Sequence, residues 1–228
     1  MLLLAVATEN EIKPLTQFLA ANGIKVLVTG MGPVRAAASL SSYLTRYGSN
    51  IKMVLNIGVA GAYIDSGIAL LDICLARQEF LGDFGICMND GIHDFDHELL
   101  KANEDLSFDS DLVARCRKIL NDHDIPVRMA NFVTVNCCSG TEVRGDFLRK
   151  KFAAGCENME GAAVAMTCKN FAIACVELRC ISNMVENRDT GKWKLSEAIE
   201  KICQAARIIL QHDLSGNVRQ DEFPMTAI

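Results

Sequence analysis

The sequence lacks the features that would mark a nucleic-acid or membrane protein. Lys and Arg number 23 against 28 Asp and Glu, for a formal net charge of −5. Nucleic-acid binding needs a clustered excess of Lys and Arg. The longest such cluster is Arg149-Lys150-Lys151, which reads as the solvated end of a helix, so no nucleic-acid partner is expected. No apolar run approaches the ~18 residues that cross a bilayer. The opening stretch, Met1 to Thr8, is apolar but has neither a basic leader nor a cleavage pattern. It reads as a buried first strand of a cytoplasmic protein with no membrane partner. The ten cysteines include no CxxC pair and lie mostly inside apolar stretches. Structural zinc and redox motifs need closely spaced thiolates, so these cysteines read as small buried hydrophobes.

What is present is an alternation of β-rich apolar runs with helical patterns. Leu2 to Ala7, Lys25 to Thr29, Met53 to Val59, Asp72 to Ala76, Met129 to Val135 and Cys175 to Ile181 read as strands. Several are continuously apolar, as strands covered on both faces are. Pro33 to Tyr47 opens with proline at a first helical position. Asp111 to His123 follows Ser110, a good N-cap, and Gly161 to Phe171 is rich in small residues. From about Ser196 to Gln211, Ile199, Ile202, Ala206, Ile209 and Leu210 form one apolar stripe. The pattern predicts a single α/β domain over residues 1–214 and a flexible tail over 215–228, without internal repeat.

Three short segments carry candidate chemistry. Gly30-Met31-Gly32-Pro33-Val34-Arg35 joins a strand to a helix, but Arg35 stands where a dinucleotide fingerprint needs its third glycine. No nucleotide cofactor is implied, and a turn that approaches another ligand, or a plain tight turn, remains. Asn56-Ile57-Gly58-Val59-Ala60-Gly61 follows a buried strand and is small enough for a ligand to approach its backbone. In Glu157-Asn158-Met159-Glu160-Gly161, a carboxylate enters a helix, where it suits either a vicinal diol or the helix dipole. His93 and His97 stand four apart, but Asn89-Asp90-Gly91 argues for a loop and no third ligand is evident, so no metal is expected.

Taken in order, Ala7-Thr8-Glu9-Asn10-Glu11-Ile12, Gly30-Met31-Gly32, Asn56 to Gly61, Asn158 to Ala163 and Arg179-Cys180-Ile181-Ser182-Asn183 resemble the nucleoside phosphorylase/nucleosidase superfamily. The resemblance covers about residues 5 to 210. It implies a three-layer αβα sandwich around a mixed, partly barrel-like sheet, assembled as a homodimer or higher homo-oligomer. It also implies a small-molecule nucleoside substrate and no cofactor. On the same basis Glu11 is the general base for water, Glu160 holds the ribose diol with Met159 against the sugar, and Asn183 donates to the purine. Asn158, Gly58 and Val59 are placed at the substrate, and Ser182 and Arg179 along the purine edge.

Departures from the pattern select a branch. Val59 stands where phosphorolytic members carry a phosphate-holding serine, which favours water as nucleophile. Asn183 replaces the aspartate of adenosine-directed nucleosidases; a carboxamide NH₂ can donate to N7 and to a 6-oxo group. The downstream string Val185-Glu186-Asn187-Arg188-Asp189, with Trp193, resembles futalosine hydrolases, which release hypoxanthine from a nucleoside bearing a 5′ benzoate chain. There Arg188 or Lys192 would meet the benzoate and Trp193 would form an apolar wall. The alternative is a capping loop around a buried tryptophan. Methylthioadenosine/adenosylhomocysteine nucleosidase, purine nucleoside phosphorylase and a non-catalytic nucleoside binder are the competing activities.

Overall fold

The computed structural model describes residues 1–89, 91–95, 105–212 and 214. Strand β1 (Leu2–Val6) runs into a 3₁₀ segment (Glu9–Leu15) and helix α1 (Thr16–Ala21). β2 (Lys25–Val28), α2 (Pro33–Tyr47), β3 (Met53–Tyr63) and β4 (Ile73–Leu81) follow. Next come a hairpin of β5 (Ile86–Met88) and β6 (Gly91–His93), then α3 (Ser110–Asp122), β7 (Val127–Thr134) and α4 (Glu142–Phe152). β8 (Ala154–Asn158), α5 (Gly161–Asn170), β9 (Ala174–Val185) and α6 (Leu195–Leu210) complete the order.

Seven strands form a mixed sheet in the order β2-β1-β3-β8-β7-β4-β9, and β9 also pairs with β3. That last pairing closes β3, β8, β7, β4 and β9 into a five-stranded barrel, with β1 and β2 extending the sheet beyond it. The expected mixed, partly barrel-like sheet flanked by helices is therefore what forms. β3 is buried at every residue but Val59, which explains its continuous apolar run: α6 and α5 both pack on it. On one side α2 and α5 meet the sheet through Leu40, Leu44, Val164 and Cys168. On the other, α3 and α6 contribute Leu112, Leu120, Ile202 and Ile209 to the larger core.

Several expectations need correction. The β4 strand extends to Leu81, five residues beyond the apolar run that ended at Ala76. β8, α4 beyond its basic end, the β5–β6 hairpin and the Glu9–Leu15 turn left no clear periodic signal. The α3 N-cap is Asp109, not Ser110: the Asp109 carboxylate accepts from Leu112 N at 2.8 Å, and Ser110 is the first helical residue. Six cysteines are buried and Cys175 is half-buried, but Cys87, Cys137 and Cys138 are exposed; all ten are free. His93 lies on the short strand β6 and not in a loop. His97 and the tail over 215–228 lie outside the described residues. Among the described residues no helix is long and apolar enough to cross a membrane.

Candidate active site

Sheet closure gathers the ends of β1, β3, β8 and β9 around a cavity of about 390 Å³, within the usual size for small-ligand sites. Glu11 reaches it from the turn after β1. Thr8 donates to Glu11 Oε2 from both its backbone N–H and its hydroxyl, each at 3.0 Å. Val59 N–H donates to Oε1 at 3.3 Å. The carboxylate is thus fixed at both oxygens, with little exposure. Burial raises its pKa above the ordinary carboxylate range, against the opposing pull of Arg179 and the Thr8 hydroxyl.

Glu160 approaches from the start of α5. Gly32 N–H donates to its Oε1 at 3.0 Å, and Arg179 Nη1 lies 3.5 Å from its Oε2. The Gly30-Met31-Gly32 turn therefore holds a carboxylate; φ of +86° at Gly30 and +94° at Gly32 explains why both are glycine. Asn158 supports the same corner from below. Its Oδ1 accepts from Glu160 N at 2.9 Å and Gly161 N at 2.7 Å, capping α5 in place of the missing intrahelical acceptors. Met159 lines the cavity, with its sulfur 3.3 Å from Cys138 Sγ.

At the opposite wall the β3–β9 ladder shifts register between Ala60 and Gly61, so that Ala60 pairs with Ile181 and Gly61 with Asn183. Ser182 is the extra residue of this bulge. Its hydroxyl donates to Asn183 Oδ1 at 2.9 Å, which turns the Asn183 NH₂ group to the remaining side. Asn183 Nδ2 makes a long bond, 3.3 Å, to Met184 O. Beyond it Arg188 stacks on the Trp193 ring at 4.9 Å, and both line the cavity. Trp193 is half-buried rather than enclosed, so it forms a wall. Lys192 instead pairs with Glu186 at 2.9 Å and is not on the cavity.

The structure thus brings Glu11, Glu160, Met159, Asn158, Val59, Ser182, Asn183, Arg188 and Trp193 to one cavity. It does not bring Gly58 and Arg179 to its surface. Arg179 is 1% exposed and lies beneath the two carboxylates, held by Glu177 at 2.8 Å, and so not at a cavity edge as the resemblance implied. Gly58 makes room for it: a Cβ there would overlap Arg179 Nη1 and come within 2.7 Å of Glu11 Oε1. Sequence reasoning assigned no role to Glu79, Thr134, Ser139, Glu157 or Glu177. Ser139 donates to Glu157 from N–H and hydroxyl at 2.7 and 2.6 Å, tying down the Cys137–Ser139 loop. One signal was readable. Glu177 and Arg179, two apart on an otherwise apolar strand, must face the same side.

A family model for the phosphorylase superfamily matches residues 8–211. The chain belongs to the phosphorylase superfamily. Among members of known name, it is 30% identical over 206 residues to the futalosine hydrolase of Thermus thermophilus, covering 86% of this chain and 87% of that one. It is 27% identical over 181 residues to an aminodeoxyfutalosine nucleosidase of Helicobacter pylori, covering 78% and 74%. The solved native futalosine hydrolase of Helicobacter pylori superposes with a TM-score of 0.80 at 21% identity, over 92% of this chain and 97% of that one. At that identity the likeness is one of fold. Phosphorylase-superfamily membership leaves open whether phosphate or water attacks the sugar, so the cavity itself has to decide.

Proposed function

We propose that the chain hydrolyses the N-ribosidic bond of a 5′-substituted purine nucleoside, futalosine, giving hypoxanthine and dehypoxanthine futalosine. The observation that carries this reading is the pair of fixed, buried carboxylates, Glu11 and Glu160, facing one cavity whose glycine turn offers Val59 in place of a hydroxyl. Departure of the purine leaves an oxocarbenium-like sugar. Glu11, ionised and short of water, takes the proton of an attacking water, and Glu160 accepts from the ribose diol. Asn183 donates to the departing base. Arg188, flattened on Trp193, offers a cation and an apolar face to an aromatic carboxylate on the 5′ chain. The names of the relatives agree with this substrate class. The reading includes a cytoplasmic enzyme of menaquinone synthesis that assembles as a homodimer or higher oligomer. Met31 and Val34, apolar and 62% and 76% exposed near the Gly32–Glu160 contact, suit cover by a second subunit.

Incubation with futalosine in phosphate-free buffer is expected to release free hypoxanthine at a rate that added phosphate leaves unchanged. Strict dependence on phosphate would overturn hydrolysis, and cleavage of adenine nucleosides alone would overturn the substrate. Asn183→Asp tests the base preference. A carboxylic acid can protonate N7 while its second oxygen accepts from a 6-amino group. The variant is therefore expected to gain 6-amino over 6-oxo nucleosides by about tenfold or more in the ratio of kcat/KM, as a site's polar complement dictates. An unchanged ratio would refute this role.

A further inference from the structure

Two buried carboxyls have no part in the chemistry above. Glu79 on β4 and Glu177 on β9 are 1% and 0% exposed. Glu79 Oε2 accepts from the Thr134 hydroxyl at 2.9 Å, and its Oε1 takes a short bond from Asn158 Nδ2. Thr134 Oγ1 in turn accepts from Ala162 N at 2.7 Å, while Asn158 Oδ1 accepts from Glu160 N and Gly161 N. Through these two side chains Glu79 fixes three consecutive N–H groups at the start of α5. Glu177 Oε1 holds Arg179 Nε at 2.8 Å, and Arg179 reaches Glu160 Oε2. Both routes end on Glu160, one at its main chain and one at its carboxylate.

The two carboxyls also meet. A methyl group added at Gly161 would overlap Glu79 Oε1 and Glu177 Oε2 and lie 2.6 Å from Glu177 Oε1. Glu177 Oε2 has no hydrogen-bond partner among the described residues. Two facing buried carboxylates cannot both stay ionised at ordinary cost, and one proton between them supplies the missing hydrogen bond. We propose that Glu79 and Glu177 share one proton and act as a joined pair of positioning residues that set Glu160 from both its ends. The function assigned to this pair rests on reading Glu160 as the ribose-holding group.

The charges around the pair are consistent with this. Burial, then the neighbouring Glu177, raises the Glu79 pKa; burial likewise raises that of Glu177, against the pull of Arg179. Of the other groups that sense the pair, Arg179 stays cationic, and Tyr63, Cys156 and Cys175 are pushed further toward their neutral forms. Glu160 and Glu11, the remaining charges on this side, are common to every variant below. A proton bound more tightly in the folded than in the unfolded protein stabilises fully below the unfolded glutamate pKa, about 4.3. That stability is lost as pH rises through the folded value.

Glu177→Gln keeps the charge of the proton-sharing pair. Its NH₂ donates to Glu79 Oε1 and its carbonyl accepts from Arg179. It is expected to hold kcat/KM to within about fivefold, the scale of one altered neutral hydrogen bond. The parent is expected to lose Tm as pH rises, and this variant to flatten that fall. Glu177→Ala frees Arg179 and is expected to raise KM and lower kcat/KM by about 10–100-fold, as small misplacements of positioning groups do. If the alanine variant does not fold, Glu79→Met serves instead: it removes the acceptors of both Asn158 Nδ2 and the Thr134 hydroxyl and is expected to lose clearly more activity than Glu177→Gln. A Glu177→Gln protein with the parent's Tm–pH slope would overturn proton sharing. Equal kinetics for parent and Glu177→Ala, or equal losses for Glu79→Met and Glu177→Gln, would overturn the positioning role. The Tm arm uses no substrate, so it stands even if futalosine is not turned over.

Discussion

Glu11→Gln is expected to lower kcat by about 10²–10⁴-fold, the usual contribution of a positioned general base, while nucleoside binding stays measurable. Glutamine keeps the shape of the side chain and can still accept from Val59 N–H or from Thr8, but not from all three donors that fix the carboxylate. What it removes is the ability to take a proton from water. The parent should show an acid limb in kcat/KM that lies above the ordinary glutamate value of about 4.3, because burial raises the Glu11 pKa and the base works only when ionised. Single-turnover rates and equilibrium titration with nucleoside separate the two effects. Retained full turnover in the variant would remove Glu11 from the chemistry.

Gly58→Ala has the second largest expected effect, although no side chain is taken away. The added methyl would overlap Arg179 Nη1 and press on Glu11 Oε1, on a strand buried on both faces. Overpacking of this kind costs about 1–3 kcal/mol of stability. Its larger consequence is geometric: displacing Glu11 by about 1 Å is expected to cost about 10²-fold in kcat/KM. Thermal denaturation together with kinetics distinguishes this from simple unfolding, since the variant should remain folded at assay temperature. A variant with parental kcat/KM would show that the spacing under the two carboxylates has no bearing on rate.

Much of this architecture is legible in the sequence. α2 runs from Pro33 to Tyr47 as its opening proline indicates, and the continuous apolar runs of β1, β3 and β9 mark strands covered on both faces. The failures have a common physical cause. β8 reads Ala-Gly-Cys-Glu-Asn because Glu157 and Asn158 are buried to build the site, and Gly155 must leave room for Ile68 and Ala130. The apolar run of β4 ends at Ala76 because the polar triplet Arg77-Gln78-Glu79 follows, yet the strand continues and Glu79 is enclosed. Strands that spend inward positions on carboxylates and amides lose the alternation that identifies them. Glu11 and Asn183, marked only by the family resemblance, and Glu160, marked also by its place at a helix start, all reach the cavity. The resemblance carries Arg179 to the purine edge as part of the segment Arg179 to Asn183. Three-dimensional pairing instead lets Glu177 and Gly58 draw it under the carboxylates.

The bulge at Ser182 bears on how selectivity can change over time. In an unbroken ladder Asn183 would pair with Ala62 and point to the same side as Arg179; the one-residue slip seats it opposite Gly61 and turns it over. Which side chain faces the cavity at this point is therefore set by a count of residues as well as by their identity. Pairing Ser182 with Gly61, as an unbroken ladder would, puts a hydroxyl where the carboxamide now stands, whereas deleting Ser182 would leave Asn183 opposite Gly61. The alignment of β9 on β3 at this one step, together with the identity of residue 183, thus decides which functional group the cavity wall offers there.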